Sequence, residues 1–374
     1  MLPNRSIYNL YYEWWKNIDK FLFLLIILLF ITGLFFSLVS TSLLVSDKLN
    51  TNDYTFFFKH LLFVFLGIII IFVLSSINEE RLFKISPIIF LFSVIFLFLV
   101  PIIGVEVNSA KRWIDLYFLP RFQPIELVKP FLIIVISIIL SSEKYTNVYL
   151  KYLFSFLITL VIALLLAAQP DIGQTLLVFF SWSVLIFISG INIIFLLASC
   201  LTLSVTLYFL IRFFPKFEYI KNRILSFFNS ETGTHNAQSE KAIDSITSGG
   251  YFGKGIGEGT LKGRVPEAHT DYIISVISEE FGVIAIILIL FLFLIFIYSV
   301  FKKVHLENLE RIKLILVGCV SLILVQAMIH IGVNIRLFPT TGMTLPFISY
   351  GGSSIISVSI LSGIILNLTK RRIR

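Results

Sequence analysis

An all-α polytopic membrane protein is what this 374-residue chain predicts, with about ten transmembrane helices, both termini cytoplasmic and a large extracytoplasmic loop between helices seven and eight. Three observations carry that expectation. The chain is 57% hydrophobic and only 14% charged, with a mean hydropathy of +0.95. A soluble chain of this length carries close to twice that charge. Uninterrupted apolar runs such as FLFLLIILLFITGLFFSLVS, LLFVFLGIIIIFVLSS and FGVIAIILILFLFLIFIYSV are long enough to cross hydrocarbon as helices. The period-two alternation of a transmembrane β-barrel is missing.

The predicted spans are 21–44, 56–77, 85–104, 125–141, 148–167, 172–189, 191–212, 271–300, 311–333 and 347–368. Ser189-Gly190 makes the turn between spans six and seven very tight. The first apolar run starts after about twenty residues and lacks a small-residue cleavage site, so it reads as a retained span. Residues 1–20 form a cytoplasmic N-terminal segment, in which Tyr8, Tyr11, Tyr12, Trp14 and Trp15 resemble an interfacial aromatic belt. Residues 21–374 form a single integral membrane domain with an extracytoplasmic insertion at about 213–270. Cys200 and Cys319 lie inside apolar runs, as core residues rather than a disulfide pair or metal ligands.

Orientation follows from the basic residues. With the N-terminus inside, inner segments hold fifteen Lys and Arg against six in the short outer loops, leaving out the long 213–270 segment. The net charge of +8 is therefore a topological signal and does not call for nucleic acid. No internal repeat is evident, which weakens an inverted-repeat transporter.

Four polar clusters collect on the outer face. In AKRWIDLYFLPRFQPIELVKP, Lys111, Arg112 and Trp113 precede Glu126 and Lys129, whose i,i+3 spacing puts both on one helical face. An ion pair just inside the membrane needs a partner or a job; a helix-end salt bridge and a functional pair both fit. In AAQPDIGQT, Pro170 and Gly173 break the helix, and Asp171 suits the cap of the next one. The glycines of GGYFGKGIGEGT invite a nucleotide-loop reading, but the strand–turn–helix context is absent, so no nucleotide cofactor is expected. Glu267, His269 and Asp271 follow at the mouth of span eight, with Glu279 and Glu280 two turns deeper. Three acids within ten residues exceed what capping requires. Finally, the Pro and Gly residues of NIRLFPTTGMTLPFISYGGSS interrupt a span, and non-helical backbone at that depth must be buried in protein or line a wet cavity. Together the clusters describe an outward cavity in which basic groups suit a phosphate headgroup and a carboxylate suits a general base.

KRWI followed by FQPIELVK, QPDIGQT, PEAHTDYIISVISEEFG and PTTGMTLPFISYGGSS resemble the SEDS family (shape, elongation, division and sporulation), in the family's order from about residue 104 to the end. Thr344, the QPDIGQT form and GGYFGKGIGEGT resemble the division branch more than the elongation branch. The resemblance implies a peptidoglycan glycosyltransferase that polymerises lipid II into glycan strands at the outer face of the bacterial inner membrane, for septal wall synthesis. It implies a class B penicillin-binding protein and other division proteins as partners. Asp271 then becomes the catalytic carboxylate; Lys111, Arg112, Trp113, Glu126, Lys129, Asp171, Glu267, His269, Ser349 and Tyr350 line the substrate cavity. A divalent cation (Mg or Mn) has Glu126 and Asp171 as its candidate ligands. Ile125, Tyr272, Arg336 and Thr341 depart from the family's commoner residues without removing a catalytic group. The rival expectations are an elongation-type polymerase and a lipid II flippase, which would need functional polar groups on both membrane faces.

Overall fold

The computed structural model describes residues 7–40, 54–107, 110–115, 120–143, 147–228, 234–260 and 268–370. Glu267 lies outside the described residues. The helices are α1 (Ile7–Asn17), α2 (Lys20–Ser40), α3 (Thr55–Ser76), α4 (Glu79–Ile103), α5 (Pro124–Leu140), α6 (Val148–Ala167), α7 (Ile172–Ile188), α8 (Ile193–Phe213), α9 (Glu218–Phe228), α10 (Thr234–Gly249), α11 (Ile273–Leu306), α12 (Glu310–Asn334) and α13 (Gly352–Leu368). Between α4 and α5, β1 (Val105–Val107) and β2 (Ala110–Trp113) pair antiparallel. Seven helices, α2, α3, α4, α6, α8, α11 and α12, are long and apolar enough to cross a membrane by length and composition. Each of the ten apolar runs is helical, and the protein is a multi-pass membrane protein.

Several boundaries shift for identifiable reasons. α4 begins at Glu79, six residues before the predicted span, because Glu79 and Glu80 favour a helix's positive first turn even outside hydrocarbon. α13 begins at Gly352 rather than 347, since Ile335 to Gly351 carries no helix and Phe347 sits at φ 66°. That conformation is unfavourable for a non-glycine residue. Phe347 is held in it by ring packing against Phe30 at 5.1 Å and Phe296 at 5.9 Å.

The N-terminal segment contains a helix that docks on the bundle: Trp14 Nε1 donates to Ser75 Oγ at 2.7 Å, and its ring packs edge-on against Phe72. Asp19 caps α2 by accepting from the amides of Phe21 and Leu22, and pairs with Lys303 at the far end of α11 at 2.6 Å.

Large apolar side chains cover the outward faces of α2, α3, α4 and α8, whereas α12 is buried along most of its length and α13 on nearly every face. Exposed apolar surface on that scale belongs against lipid. α12 is the central post, packed by α5, α7, α11 and α13, while α13 lies along α3. α5, α7 and α13 each have 17 residues. At 1.5 Å per residue each rises roughly 25 Å, about 5 Å short of the hydrocarbon thickness. All three start at the same end of the bundle, where their N-termini gather as a polar recess.

The segment after α8 is structured. α9 and α10 follow a short 3-10 turn, and the glycine-rich loop after α10 docks on a break in α11. Gly282 is non-helical, with φ 77° and ψ 179°. Before the break, the carbonyls of Glu279 and Glu280 accept from Lys254 N and Gly255 N at 2.9 and 3.0 Å. After it, Val283 N and Ile284 N donate to Gly250 O and Tyr251 O at 3.0 and 3.3 Å. Backbone groups that the break would orphan are thus paired by a loop laid along them. A Cβ at Gly253 would overlap the Glu280 carbonyl, and one at Gly282 the Tyr251 carbonyl. The alternating glycines therefore serve backbone-to-backbone packing. Glu279 completes the latch, accepting from Ser245 Oγ at 2.9 Å and lying 3.4 Å from Lys254 Nζ.

Substituting Gly282→Ala should unseat this loop without unfolding the bundle. The strain, of order 1–3 kcal/mol, should speed tryptic cleavage at Lys254 by at least about fivefold, read by limited proteolysis in detergent.

Candidate active site

Four helix N-termini meet in the recess: those of α5, α7, α11 and α13. Gln123 N donates to Ser353 Oγ at 3.0 Å, joining α5 to α13. Gln174 Nε2 donates to Glu126 at 3.1 Å, joining α7 to α5. Ser349 Oγ donates to the Thr270 carbonyl at 2.7 Å, joining the entry of α13 to that of α11. The first amides of a helix have no partner within it, and each N-terminus carries a partial positive charge of about half an electron.

The chain reaches this arrangement because its polar residues sit where helices start. Pro124 occupies the first turn of α5, where a missing N–H costs nothing, and Glu126 follows in the same turn. Lys129 is one turn further on, and its Nζ lies 2.8 Å from Glu126 Oε2. Both are buried, Lys129 at 2% exposure, so each depends on the other. Asp171 is the N-cap of α7, accepting from Gln174 N at 3.3 Å. Its other carboxylate oxygen accepts from Gln123 Nε2 at 3.2 Å and lies 3.6 Å from Arg112 Nε. Arg112 also donates to the Pro170 carbonyl.

The network continues in the other direction. Lys129 Nζ donates to Gln326 Oε1 at 3.3 Å, and Gln326 Nε2 donates to the Thr344 carbonyl at 3.0 Å. Thr344 Oγ1 donates to Ser354 Oγ at 2.6 Å. Two residues before Thr344, Gly342 turns with φ 73°, and the position a Cβ would take there is 4.0 Å from Arg112 Nη1 and 3.5 Å from Asp271 Oδ2. A chain of polar contacts thus runs from Arg112 through Asp171, Gln174, Glu126, Lys129 and Gln326 to Thr344. The Gly342 turn, two residues before Thr344, lies against both Arg112 and Asp271.

Asp271 is partly exposed, and Tyr272 rather than Asp271 occupies the N-cap of α11. Its backbone neighbourhood is clamped by the broken segment: Asn334 Nδ2 donates to Asp271 O at 3.0 Å, and Tyr350 N to His269 O at 3.1 Å. Ser349 is buried and also accepts from Leu345 N at 2.9 Å, so it positions backbone. His269 stacks on Phe56 with ring centroids 4.6 Å apart and lies 6.1 Å from Tyr350.

The structure therefore gathers Arg112, Glu126, Lys129 and Asp171 along one chain of contacts, with Asp271 beside the Gly342 turn near its end and His269, Ser349 and Tyr350 adjoining the Asp271 backbone. Lys111 instead lines a cavity of about 300 Å³ with Pro101, Glu106, Ala110, Ala168, Gln169 and Pro170. Trp113 ends β2 opposite Val105, where the strand pairing shifts register. Glu126 and Asp171 do not converge as a free ligand pair, because each faces its own cation, Lys129 or Arg112. Among the described residues no group of three or more His, Cys, Asp and Glu is placed to hold a metal ion. Gln123, Gln174, Gln326, His330 and Asn334 are further members that the sequence reading did not single out, and Thr344, singled out there only as a mark of the division branch, joins them. A signal was present for three of them: Gln326, His330 and Asn334 recur every four residues in an otherwise apolar helix.

A helical bundle that sinks a charged, hydrogen-bonded recess into one membrane face belongs to a class of enzymes and transporters handling amphipathic substrates. The family model described as "Cell cycle protein" (FtsW/RodA/SpoVE) matches residues 19–373, and the chain belongs to this family. The probable peptidoglycan glycosyltransferase FtsW of Haemophilus influenzae is 32% identical over 96% of this chain and 93% of its own length. That of Wigglesworthia glossinidia brevipalpis is 34% identical over 91% and 90%. The rod-shape-determining protein RodA of Thermus thermophilus superposes with a TM-score of 0.70 and 26% identity, covering 96% of this chain and 98% of that one. A chain of a peptidoglycan synthase complex, solved for the coordination of polymerization and crosslinking, gives a TM-score of 0.77 at 26% identity over 94% and 97%.

Replacing Lys129 with Met should strand the Glu126 carboxylate and cost about 3–5 kcal/mol of stability. The double change Glu126→Gln with Lys129→Met should recover at least half of that, read by denaturant-driven unfolding in detergent micelles.

Proposed function

We propose that this chain is a peptidoglycan glycosyltransferase that polymerises lipid II on the outer face of the inner membrane. The observation that carries the reading is Asp271, a partly exposed carboxylate that lies, like Arg112, against the Gly342 turn. The fifteen-to-six excess of Lys and Arg supports cytoplasmic termini and an outward recess. Four helix N-termini and Arg112 suit a pyrophosphate headgroup. A recess bordered by lipid-facing helices admits a polyprenyl tail laterally.

In this mechanism Asp271 takes the proton from the C4 hydroxyl of the acceptor's terminal sugar. The freed oxygen forms a bond to the anomeric carbon of the growing strand, the bond from that carbon to pyrophosphate breaks, and the lipid pyrophosphate leaves with its electron pair. Arg112 and the helix amides offset the charge that develops on the leaving group. Glu126 and Asp171 are already neutralised by side chains, a donor set that fits a resident divalent cation poorly, and no step here runs through one.

The relatives named FtsW favour the septum as the place of action, and the synthase-complex neighbour favours a class B penicillin-binding protein as partner, alongside other division proteins. Against a flippase stands the one-sidedness of the helices: Glu126, Lys129, Asp171, His60, His330, Glu279 and Glu280 are all buried at the recess end.

Purified with its cognate penicillin-binding protein, Asp271→Asn should bind lipid II normally yet polymerise it at least about a hundredfold more slowly, by gel analysis of labelled glycan. Polymerisation at the wild-type rate sinks the assignment.

A further inference from the structure

One face of α12 carries three polar side chains at intervals of four residues, and each holds a different piece of the recess. Gln326 donates to Thr344 O at 3.0 Å, His330 Nδ1 lies 2.7 Å from Met343 O, and Asn334 donates to Asp271 O at 3.0 Å. The three are 5%, 1% and 0% exposed. A straight helix face thereby sets the register of the broken segment 343–344 against the Asp271 backbone.

Gln326 differs from the other two rungs in being bound on both sides. A Lys ammonium can only donate and a backbone carbonyl can only accept. The amide oxygen must therefore face Lys129 and its NH2 must face Thr344, so the orientation of this amide is fixed. The same NH2 lies 3.4 Å from Thr344 Oγ1 and 3.5 Å from Ser354 Oγ, at the start of α13. A deeply buried amide spanning a salt bridge and a helix-free segment does more than fill space. Thr344 lies two residues from Gly342, the turn against which Arg112 and Asp271 meet.

We propose that Gln326 is a positioning residue for the glycosyl transfer: it fixes the 342–344 turn relative to Asp271 by tying it to the buried Glu126–Lys129 pair. Gln326 touches neither substrate nor reacting atoms; it acts through Thr344 and Lys129. A shift of about 1 Å in that turn would misplace the carboxylate and the guanidinium together, and displacements of that size cost up to roughly a hundredfold in rate. The proposal rests on the glycosyltransferase reading, and its test is arranged so that the two fail separately.

The test compares Gln326→Leu and Gln326→Glu with wild type, each with the partner transpeptidase, in a labelled lipid II polymerisation assay. Gln326→Glu keeps size and shape and still faces Lys129, but cannot donate to Thr344 O. Both variants should lose at least about tenfold in kcat with KM for lipid II within about twofold and Tm within a few degrees, the split expected of an interaction expressed in the transition state. Because the residues act as one unit, Lys129→Met with Gln326→Leu should be no slower than Lys129→Met alone. A Gln326→Glu enzyme with wild-type kcat overturns the proposal, as does a loss confined to KM. Failure of both variants to fold also overturns it, making Gln326 a folding residue. Inactive wild type in the same assay instead counts against the glycosyltransferase reading, and active wild type with active variants counts against Gln326 alone.

Discussion

The contact between Lys129 and Glu126 is the interaction on which the rest of the recess depends. An ammonium with 2% exposure inside a membrane bundle carries a desolvation cost of several kcal/mol, which one carboxylate offsets only if the remaining donors and acceptors are also met. That requirement recruits Gln174 on one side and Gln326 on the other, and through them α7, α12 and the broken segment. The pair is thus less a source of stability than a constraint that forces four elements into a single arrangement.

A second constraint is backbone satisfaction. Hydrocarbon offers no partner to an amide or carbonyl, so every break must be closed by protein. At Gly282 the closure is made by a loop that supplies both carbonyls and amides, and glycine is needed on both strands of the contact because any Cβ would collide with the opposing backbone. At 335–351 side chains take part: Gln326 and His330 engage the carbonyls of Thr344 and Met343, and Ser349 accepts from Leu345 N, while Asn334 and Ser349 also donate across to Asp271 O and Thr270 O. The two solutions have different consequences. The first latches the region before α11 to the helix; the second leaves polar side chains lining the place where chemistry is proposed.

The recess also depends on where helices start. The N-termini of α5, α7 and α13 gather at one end of the bundle, and the positive ends of the helices reinforce Arg112. Asp171 and Glu126 temper that field, Asp171 as a cap and Glu126 in a first turn. Asp271 is not the N-cap residue of α11; Tyr272 holds that position, with no side-chain capping hydrogen bond.

By itself, the sequence determined the helical membrane class, the ten apolar runs and the one-sided distribution of ionisable groups. These follow from local composition and from periodicity, which a linear chain displays directly. The i,i+3 pairing of Glu126 with Lys129 and the capping geometry of Asp171 were legible for the same reason: both are contacts within one helix turn. Only the tertiary structure placed Arg112 against Asp171 at the start of α7 and Lys111 on a neighbouring cavity. It alone gave Asp171 a cation from elsewhere in the chain, Arg112, while Glu126 has Lys129 within its own helix. It alone revealed that the alternating glycines pack on a helix break and that Gln326 joins residues 129 and 344. Those contacts join residues far apart in the chain, and no spacing rule encodes a partner that packing brings from another helix.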